Sequence, residues 1–204
     1  MKLDKPIGLL SIAAIAVVAG WLGCQYYQQS QTVRIDYENA YTAQDVWPLD
    51  ASQSLPTSKT CTVVRVSDGD TMVVDCNGSE EKIRFCGIDA PEKTQPLGEE
   101  SRNNLQRLVN EAGNRAIVVP IETDRYGRTV AEVFTLFPGD RGKFLNGEQV
   151  LAGLAYHYTR YSSRCLNRDA IATAEEMAQQ KRVGVWDGKR YQTPWDYRKA
   201  RRAK

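Results

Sequence analysis

The chain has 204 residues, of which 42% are hydrophobic and 25% are charged, and its formal net charge at pH 7 is +2. This length allows one domain of ordinary size with additional segments, and the apolar share is sufficient for a hydrophobic core. His157 is the single histidine, which argues against histidine pairs, histidine–metal sites and Ser-His-Asp triads. The sequence also lacks a P-loop motif.

The N-terminal segment is uncharged from residue 7 to residue 23, after a start that contains two lysines. This run is longer than a usual signal-peptide core and reaches the lower limit for a membrane span. We therefore interpret residues 1–28 as a signal anchor or, if cleaved, a signal peptide, with the remainder exported; a buried helix is the alternative. Trp21 stands where a lipoprotein signal has a small aliphatic residue before its cysteine, which argues against a lipid anchor on Cys24.

Two further segments flank the predicted domain. The polar residues 29–58 are predicted to form a linker that leads to a folded domain at residues 59–187. Residues 188–204 form a basic tail with seven lysines and arginines and one aspartate. The tail is interpreted either as a solvated terminus or as a basic arm near an anionic partner, such as nucleic acid or lipid head groups.

The cysteines of an exported domain are expected to form disulfides. Cys61, Cys76, Cys86 and Cys165 are even in number and contain no CxxC motif, which suits two disulfides better than a zinc site. Three pairings are possible. If the apolar segments that follow Cys61 and precede Cys76 form a hairpin, these two cysteines come close together, which favours the pairs 61–76 and 86–165.

The elements of the domain are predicted from apolar periodicity and turn residues. Three strand-like segments come first, followed by a helix that ends at a glycine, two further strands, and two helices with asparagine at their starts. In chain order these are strands at 61–66, 71–76 and 82–88, a helix at 99–113, strands at 115–122 and 129–137, a helix at 145–155 capped by Asn146, and a helix from Asn167 to Gly184.

The order of elements predicts an α+β, mainly β fold. The SDGD turn joins the first two strands, and Asn77-Gly78, a strong hairpin signal, joins the second to the third. Five short antiparallel strands with a helix after the third are typical of a five-stranded OB-type barrel, here with three helices. Such barrels often bind nucleic acid or sugar chains on one face.

The stretch RFCGIDAPE brings several oxygen atoms into one short segment. Proline holds Ala90 in an extended conformation, so Asp89, the Ala90 carbonyl and Glu92 are expected to lie in one kink. Asp70, in the SDGD turn, adds a carboxylate on a neighbouring strand. Hard oxygen ligands suit Ca²⁺ or Mg²⁺ better than zinc or copper. Alternatively, these acids are ordinary turn residues.

Arginines accompany these acids. Arg84 precedes Asp89 on the same predicted strand, and Arg125 and Arg128 lie in the DRYGR turn between two later strands. Arginine forks bind phosphate oxygens in pairs and remain charged, so the combination with a hard cation indicates a phosphate ligand. Arginines that serve solubility are the alternative for the DRYGR turn.

The motifs SDGDT, IRFCGIDAPE and DRYGR, in this order, resemble those of the staphylococcal nuclease family. The resemblance extends from about residue 62 to residue 186. It implies an OB barrel with three helices, in agreement with the element order above. It also implies Ca²⁺-dependent cleavage of DNA and RNA with little sequence preference, which leaves 3′-phosphate ends.

The resemblance also implies roles for individual residues. Asp70 and Asp89 match the side chains that bind Ca²⁺, and Ala90 matches the residue that offers its carbonyl. Glu92 matches the carboxylate proposed as general base. The remaining matches contact the substrate: Arg84 and Arg128 at the scissile phosphate, Arg125 and Tyr126 at a terminal phosphate, and Tyr156 and Tyr158 near the nucleotide.

The sequence therefore predicts an exported, Ca²⁺-dependent, monomeric nuclease of DNA and RNA, anchored by its N-terminal segment or secreted after cleavage. A non-catalytic OB module that holds nucleic acid at the cell surface is one alternative. A disulfide-stapled Ca²⁺-binding adhesion domain is another, but it leaves the arginines without a role.

Overall fold

The computed structural model describes residues 57–135 and 142–203. The predicted anchor and nearly all of the predicted linker therefore lie outside the described residues. Within the described part of the chain, none of the helices has both the length and the apolar character needed to cross a membrane.

The described residues form seven strands, four α-helices and two short 3₁₀ helices. The strands are β1 Lys59–Asp68, β2 Thr71–Asp75, β3 Glu80–Phe85, β4 Ile88–Asp89, β5 Arg115–Thr123, β6 Thr129–Thr135 and β7 Tyr156–His157. The helices are α1 Gly98–Glu111, α2 Leu145–Leu151, α3 Arg168–Lys181 and α4 Pro194–Arg202, with 3₁₀ turns at Thr159–Tyr161 and Gly184–Trp186.

Five strands close into a barrel in the order β1-β2-β3-β6-β5, which confirms the predicted OB-type barrel. The prediction that all strands are antiparallel is wrong for one pair, because β3 and β6 run parallel, with Arg84 opposite Val130. Parallel neighbours need a long crossover connection, and the chain between β3 and β6, which contains α1 and β5, provides it. The two-residue strands β4 and β7 form a separate antiparallel pair.

Alternation and turn chemistry explain the barrel. On β1, the side chains of Cys61 and Val63 are buried while Thr62 and Val64 are exposed, as expected for a strand with one face on the core. Asn77 and Gly78 both have positive φ angles, 60° and 84°, so the predicted tight turn between β2 and β3 is confirmed.

Helix α1 covers the core with the predicted face. Leu105, Leu108 and Val109 are at most 1% exposed, and the helix packs against β1. Its end at Gly113, which has a φ of 63°, also agrees with the prediction, since glycine adopts this conformation without steric strain.

The start of α2 differs from the prediction. The helix begins at Leu145 with Phe144 as its N-cap residue, so Asn146 is not the cap. Its side chain is fully buried, donates to the Cys86 carbonyl at 2.9 Å and accepts from the Val133 N–H at 3.0 Å. The buried backbone groups need these partners, and this demand outweighs the preference of asparagine for a helix cap.

The four cysteines form the favoured pairs, Cys61–Cys76 and Cys86–Cys165. The first disulfide staples the β1–β2 hairpin. The second disulfide links the chain just after β3 to the segment before α3. Next to Cys86, Gly87 has a φ of 73° and lets the chain turn from β3 into β4. Both disulfides therefore hold parts of the chain that lead to the predicted acidic site.

The described helices number four, one more than predicted. The additional helix is α4, which lies within residues 188–204, the segment interpreted from sequence as a basic tail. At its N-terminus the Thr193 hydroxyl donates to the Asp196 carboxylate at 2.7 Å, and Pro194 occupies the first turn, a position that suits proline.

Candidate active site

A cleft of about 1400 Å³ opens beside the barrel. Its lining comes from the β1–β2 turn, β3, the loop after β4, the β5–β6 turn, the segment after β7, and α4. Acidic, basic and aromatic side chains share this one surface.

Asp70 and the Asp89–Ala90 segment are brought together by backbone contacts. The Ala90 N–H donates to Asp70 Oδ2 at 2.6 Å, and the Phe85 N–H donates to the Asp70 carbonyl at 2.9 Å. The buried Gln149 side chain holds the same turn through the Gly69 carbonyl at 2.7 Å. The Asp70 and Asp89 residues are only 2% and 0% exposed, so their charges need partners.

Arg84 on β3 supplies one of those partners. Its guanidinium forms ion pairs with Asp70 and with Asp89 Oδ1, the latter at 2.7 Å, and also donates to the Ile88 carbonyl at 3.2 Å. The Arg84 side chain is 17% exposed. Arg84 therefore joins the turn after β1 to the end of β4.

Glu92 lies just beyond the proline kink, with its side chain 36% exposed. Its backbone is fixed by Gln95, whose side-chain oxygen accepts from the Glu92 N–H at 2.9 Å and whose N–H donates to the Glu92 carbonyl at 2.8 Å. A Cβ atom at Gly98 would collide with that carbonyl, so the close approach of this loop to α1 requires glycine. The loop presents the Glu92 carboxylate to the cleft.

Arg198 of α4 reaches both acids of the kink. Its Nη1 donates to Asp89 Oδ1 at 3.0 Å and to Glu92 Oε1 at 2.9 Å, and its Nη2 donates to Asp89 Oδ2 at 2.7 Å. Burial lowers the pKa of this guanidinium, but the hydrogen bonds and charges of Asp89 and Glu92 outweigh burial and raise the pKa above its ordinary value. Arg198 therefore remains charged and bridges the two carboxylates.

Arg125, Tyr126 and Arg128 lie together in the β5–β6 turn. Asp124 organises this turn by accepting from the backbone N–H groups of Tyr126 and Arg128 at 2.9 and 3.0 Å, and from Arg128 Nε at 2.7 Å. Burial raises the pKa of Asp124, but these hydrogen bonds outweigh it and lower the pKa below its ordinary value. The Arg125 guanidinium lies over the ring of Tyr126, which is 64% exposed.

Aromatic residues form another part of the lining. The ring of Tyr158 lies parallel to the indole of Trp195, with centroids 5.0 Å apart and an interplanar angle of 6°, and it also contacts Tyr161 at 4.9 Å. Tyr156 lies behind this surface, 5% exposed, with its ring edge-on to Trp186 and Trp195. Of the two predicted nucleotide-binding tyrosines, Tyr158 therefore lines the cleft and Tyr156 supports it.

Both tyrosines keep their protons. Burial, followed by the charge of Glu175, raises the pKa of Tyr156 to about 12. Burial and the nearby Asp89 carboxylate also raise the pKa of Tyr158. Each phenol is therefore a neutral hydrogen-bond donor at neutral pH.

Comparison with known proteins agrees with this arrangement. The family profile described as "Staphylococcal nuclease homologue" matches residues 82–188. The chain belongs to the staphylococcal nuclease family. It is 34% identical over 143 residues to a micrococcal nuclease of Shigella flexneri, covering 68% of this chain and 79% of that one.

Two other relatives are also similar to part of this chain. An uncharacterized endonuclease of Haemophilus influenzae is 38% identical over 129 residues, which cover 62% of this chain and 66% of the relative. A staphylococcal-like nuclease of Arabidopsis thaliana is 36% identical over 121 residues, 59% of this chain but only 34% of the relative. The chain thus spans about a third of the length of this plant relative.

The acids of this staphylococcal nuclease homologue fit a hard divalent cation by their chemistry. No group of three or more His, Cys, Asp or Glu residues in the described ranges forms a metal cluster, so a cation held by Asp70 and Asp89 would need further oxygen ligands, such as a backbone carbonyl. The carboxylate oxygens are engaged by the guanidinium groups of Arg84 and Arg198. A cation that binds these carboxylates would therefore have to compete with the two guanidinium groups.

The sequence motifs identified the acids and the arginines of the barrel but not Arg198 and Trp195. Both lie on α4, beyond residue 188, where the family match ends. The available signal is the spacing of Trp195, Arg198, Lys199 and Arg202, which places four side chains on one face of a helix. This spacing favours a helix over an unstructured basic tail.

Proposed function

We propose that the chain is an exported, Ca²⁺-dependent nuclease that hydrolyses phosphodiester bonds of DNA and RNA with low sequence specificity and leaves 3′-phosphate ends. The observation that carries the proposal is that Arg84, Glu92 and Arg128 line one cleft, with the buried Asp89 carboxylate directly behind it, paired with Arg84. Membership of the staphylococcal nuclease family and the nuclease names of its relatives support the same activity.

Asp70, Asp89 and the Ala90 carbonyl are the groups that would hold Ca²⁺. Held there, Ca²⁺ would supply a positive charge that polarises a phosphate oxygen and stabilises the charge developing on it. The kink gives the two acids of RFCGIDAPE different surroundings: Asp89 is fully buried, whereas the Glu92 side chain is 36% exposed. Burial suits a ligand, and exposure to the cleft suits a residue that acts on water.

In the proposed reaction, the arginines and Glu92 have different roles. Arg84 and Arg128 bind non-bridging phosphate oxygens, because guanidinium forks match them in geometry and charge. Glu92 accepts a proton from the attacking water, whose oxygen forms the new bond to phosphorus. The P–O5′ bond breaks, so the phosphate stays on the 3′ oxygen, and the 5′ oxygen takes a proton from solvent and leaves as a hydroxyl. The arginines stabilise the charge on phosphorus as it develops.

The lining explains how such a site tolerates many sequences. Arginines contact the phosphates that all nucleic acids share, and an aromatic ring such as that of Tyr158 can stack on any base. We therefore assign both DNA and RNA as substrates, and Arg125 and Tyr126 as contacts to a terminal phosphate.

The proposed location is outside the cytoplasm. The two disulfides support this location, because disulfides persist in oxidising compartments. The uncharged residues 7–23 are proposed to anchor the protein in the membrane, with secretion as the outcome if this segment is cleaved. The protein is proposed to act as a monomer.

The test compares Glu92→Gln with the unaltered chain on plasmid DNA and on RNA, with Ca²⁺ and with chelator. The amide keeps the shape of the side chain but cannot accept the proton, so we expect turnover to fall about 10²–10⁴-fold while Ca²⁺ and nucleic-acid binding persist. Glu122→Gln is the matched control, because Glu122 lines the same cleft and is paired with Arg164 away from the acids.

Two results would contradict the proposal. Full recovery of the Glu92→Gln rate at high Ca²⁺ would make Glu92 a metal ligand and not the base. Binding without cleavage by the unaltered chain in Ca²⁺ would instead support a non-catalytic OB module.

A further inference from the structure

Helix α4 presents one face to the cleft. Four of its residues follow the spacing i, i+3, i+4, i+7, which places their side chains in one stripe along a helix, and all four line the cleft: Trp195, Arg198, Lys199 and Arg202. Tyr197 and Arg201 fall outside this stripe, and the Arg201 guanidinium lies over the Tyr197 ring at 5.8 Å. The cleft-facing stripe of α4 therefore carries three positive charges.

The position of α4 is fixed by contacts at its start and along its length. Gln95 Nε2 donates to the Gln192 carbonyl at 2.9 Å, just before the helix, and the Tyr197 hydroxyl lies 2.7 Å from the Thr94 hydroxyl. Stacking of Trp195 on Tyr158 adds a third contact. The cations of the stripe are therefore held at the cleft by ordered structure.

Lys199 and Arg202 differ from Arg198 in their surroundings. Arg198 is engaged by Asp89 and Glu92, whereas Lys199 and Arg202 are exposed and form no salt bridge with any residue of 57–135 or 142–203. Asp196, the acid of the helix, also lines the cleft, and its carboxylate accepts from the Thr193 hydroxyl at the helix N-terminus. The C-terminal half of the stripe is thus a pair of cations available to an anion.

A strand of nucleic acid fits this pair. Arg202 lies one helical turn beyond Arg198, on the order of 6 Å along the helix axis. The positive charges of α4 therefore extend along the cleft, away from the acids that Arg198 contacts. The same cleft carries the arginines of the β5–β6 turn and the stacked rings of Tyr158 and Trp195. Cationic side chains interleaved with aromatic rings are typical of surfaces that bind single strands.

We propose that α4 is a substrate-binding element in which Lys199 and Arg202 bind backbone phosphates of the strand outside the scissile phosphate. This inference rests on the proposed nuclease function. It extends the substrate site beyond the segment that matches the family profile.

The test measures binding of a fluorescent single-stranded oligonucleotide to the full chain as a function of NaCl concentration, in the Glu92→Gln background with Ca²⁺ present. Affinity falls as the salt concentration rises, and each phosphate contact to a single strand makes the slope of log affinity against log salt more negative by about 0.7. We expect the double variant Lys199→Ala/Arg202→Ala to have a slope that is less negative by about 1.4. We also expect it to bind different base sequences more weakly by the same factor.

Arg190→Ala/Arg201→Ala is the matched control. It removes the same charge from the same C-terminal region without touching the cleft lining, and we expect its slope to equal that of the parent. Equal slopes for both double variants, whether less negative or unchanged, would overturn the inference. So would loss of binding to anionic phosphatidylserine vesicles by the Lys199/Arg202 variant with oligonucleotide binding intact. Cleavage is scored separately on the unaltered chain, so failure of the nuclease proposal and failure of this one are distinguishable.

Discussion

Replacement of Arg198 by alanine should strengthen Ca²⁺ binding. The guanidinium makes two hydrogen bonds to Asp89 and one to Glu92, and a cation that takes Asp89 as a ligand must displace at least the first two. Removing the arginine removes that competition and also one positive charge from the site. Asp89 is fully buried, so its preference for a cationic partner remains after the substitution.

The magnitude follows from these contacts. A hydrogen bond to a charged group contributes about 1.5–3 kcal/mol, but the Arg198 side chain is 32% exposed, and solvent screening and side-chain entropy reduce the value of such a pair. We therefore assign about 1.4–2.8 kcal/mol to the whole contact, which corresponds to a Ca²⁺ dissociation constant about 10–100-fold lower in Arg198→Ala.

Isothermal titration calorimetry of the full chain with CaCl₂ measures this directly, without turnover. Arg201→Ala, on the other side of the same helix, should bind Ca²⁺ as the unaltered chain does. Arg198→Lys should fall between the two, because an ammonium group keeps the charge but not the two-pronged contact. Unchanged or weaker Ca²⁺ binding in Arg198→Ala would refute the reasoning, since Arg198 would then support the metal site and not compete for it.

Two further predictions concern stability. Loss of the Cys86–Cys165 disulfide, which spans 79 residues, should lower the free energy of unfolding by about 4.5 kcal/mol, and loss of the disulfide that spans 15 residues by about 3 kcal/mol; urea denaturation of paired serine variants that gave the reverse order would contradict this. Burial lowers the pKa of His157 below 6.5, so its contribution to stability is present above pH 6.5 and is lost as pH falls towards the folded-state pKa. The imidazole resonance of this single histidine should therefore titrate below 6.5 by NMR, and His157→Asn should remove the corresponding loss of stability; an NMR pKa at or above 6.5 would exclude this explanation.

The barrel was predictable because its signals are local. Alternating burial on β1 and the Asn77-Gly78 turn follow from side-chain direction and backbone sterics, which neighbouring residues determine. The parallel pairing of β3 with β6 was not predictable in this way. It depends on how a sheet closes on itself, and no short segment carries that information.

Side chains with a choice of partners account for most of the differences. Asn146 has the residue type of a helix cap, but the fold uses its amide to satisfy buried backbone groups of Cys86 and Val133. Arg198 lies in a segment whose composition is that of a solvated tail, and only the tertiary structure shows that it contacts Asp89 and Glu92. The closeness of Asp89 and Glu92 was predictable because their spacing within RFCGIDAPE is fixed along the chain.

The location of α4 beyond residue 188 has a consequence for where this protein can be divided. A boundary drawn at the end of the family match keeps the barrel, both disulfides and every acid of the kink. It removes the indole that covers one face of Tyr158, and it leaves Arg84 as the arginine on Asp89 among the described residues that remain. A piece that ends at that boundary therefore contains every strand of the barrel but not the complete site, because Trp195 and Arg198 of the cleft lie beyond it.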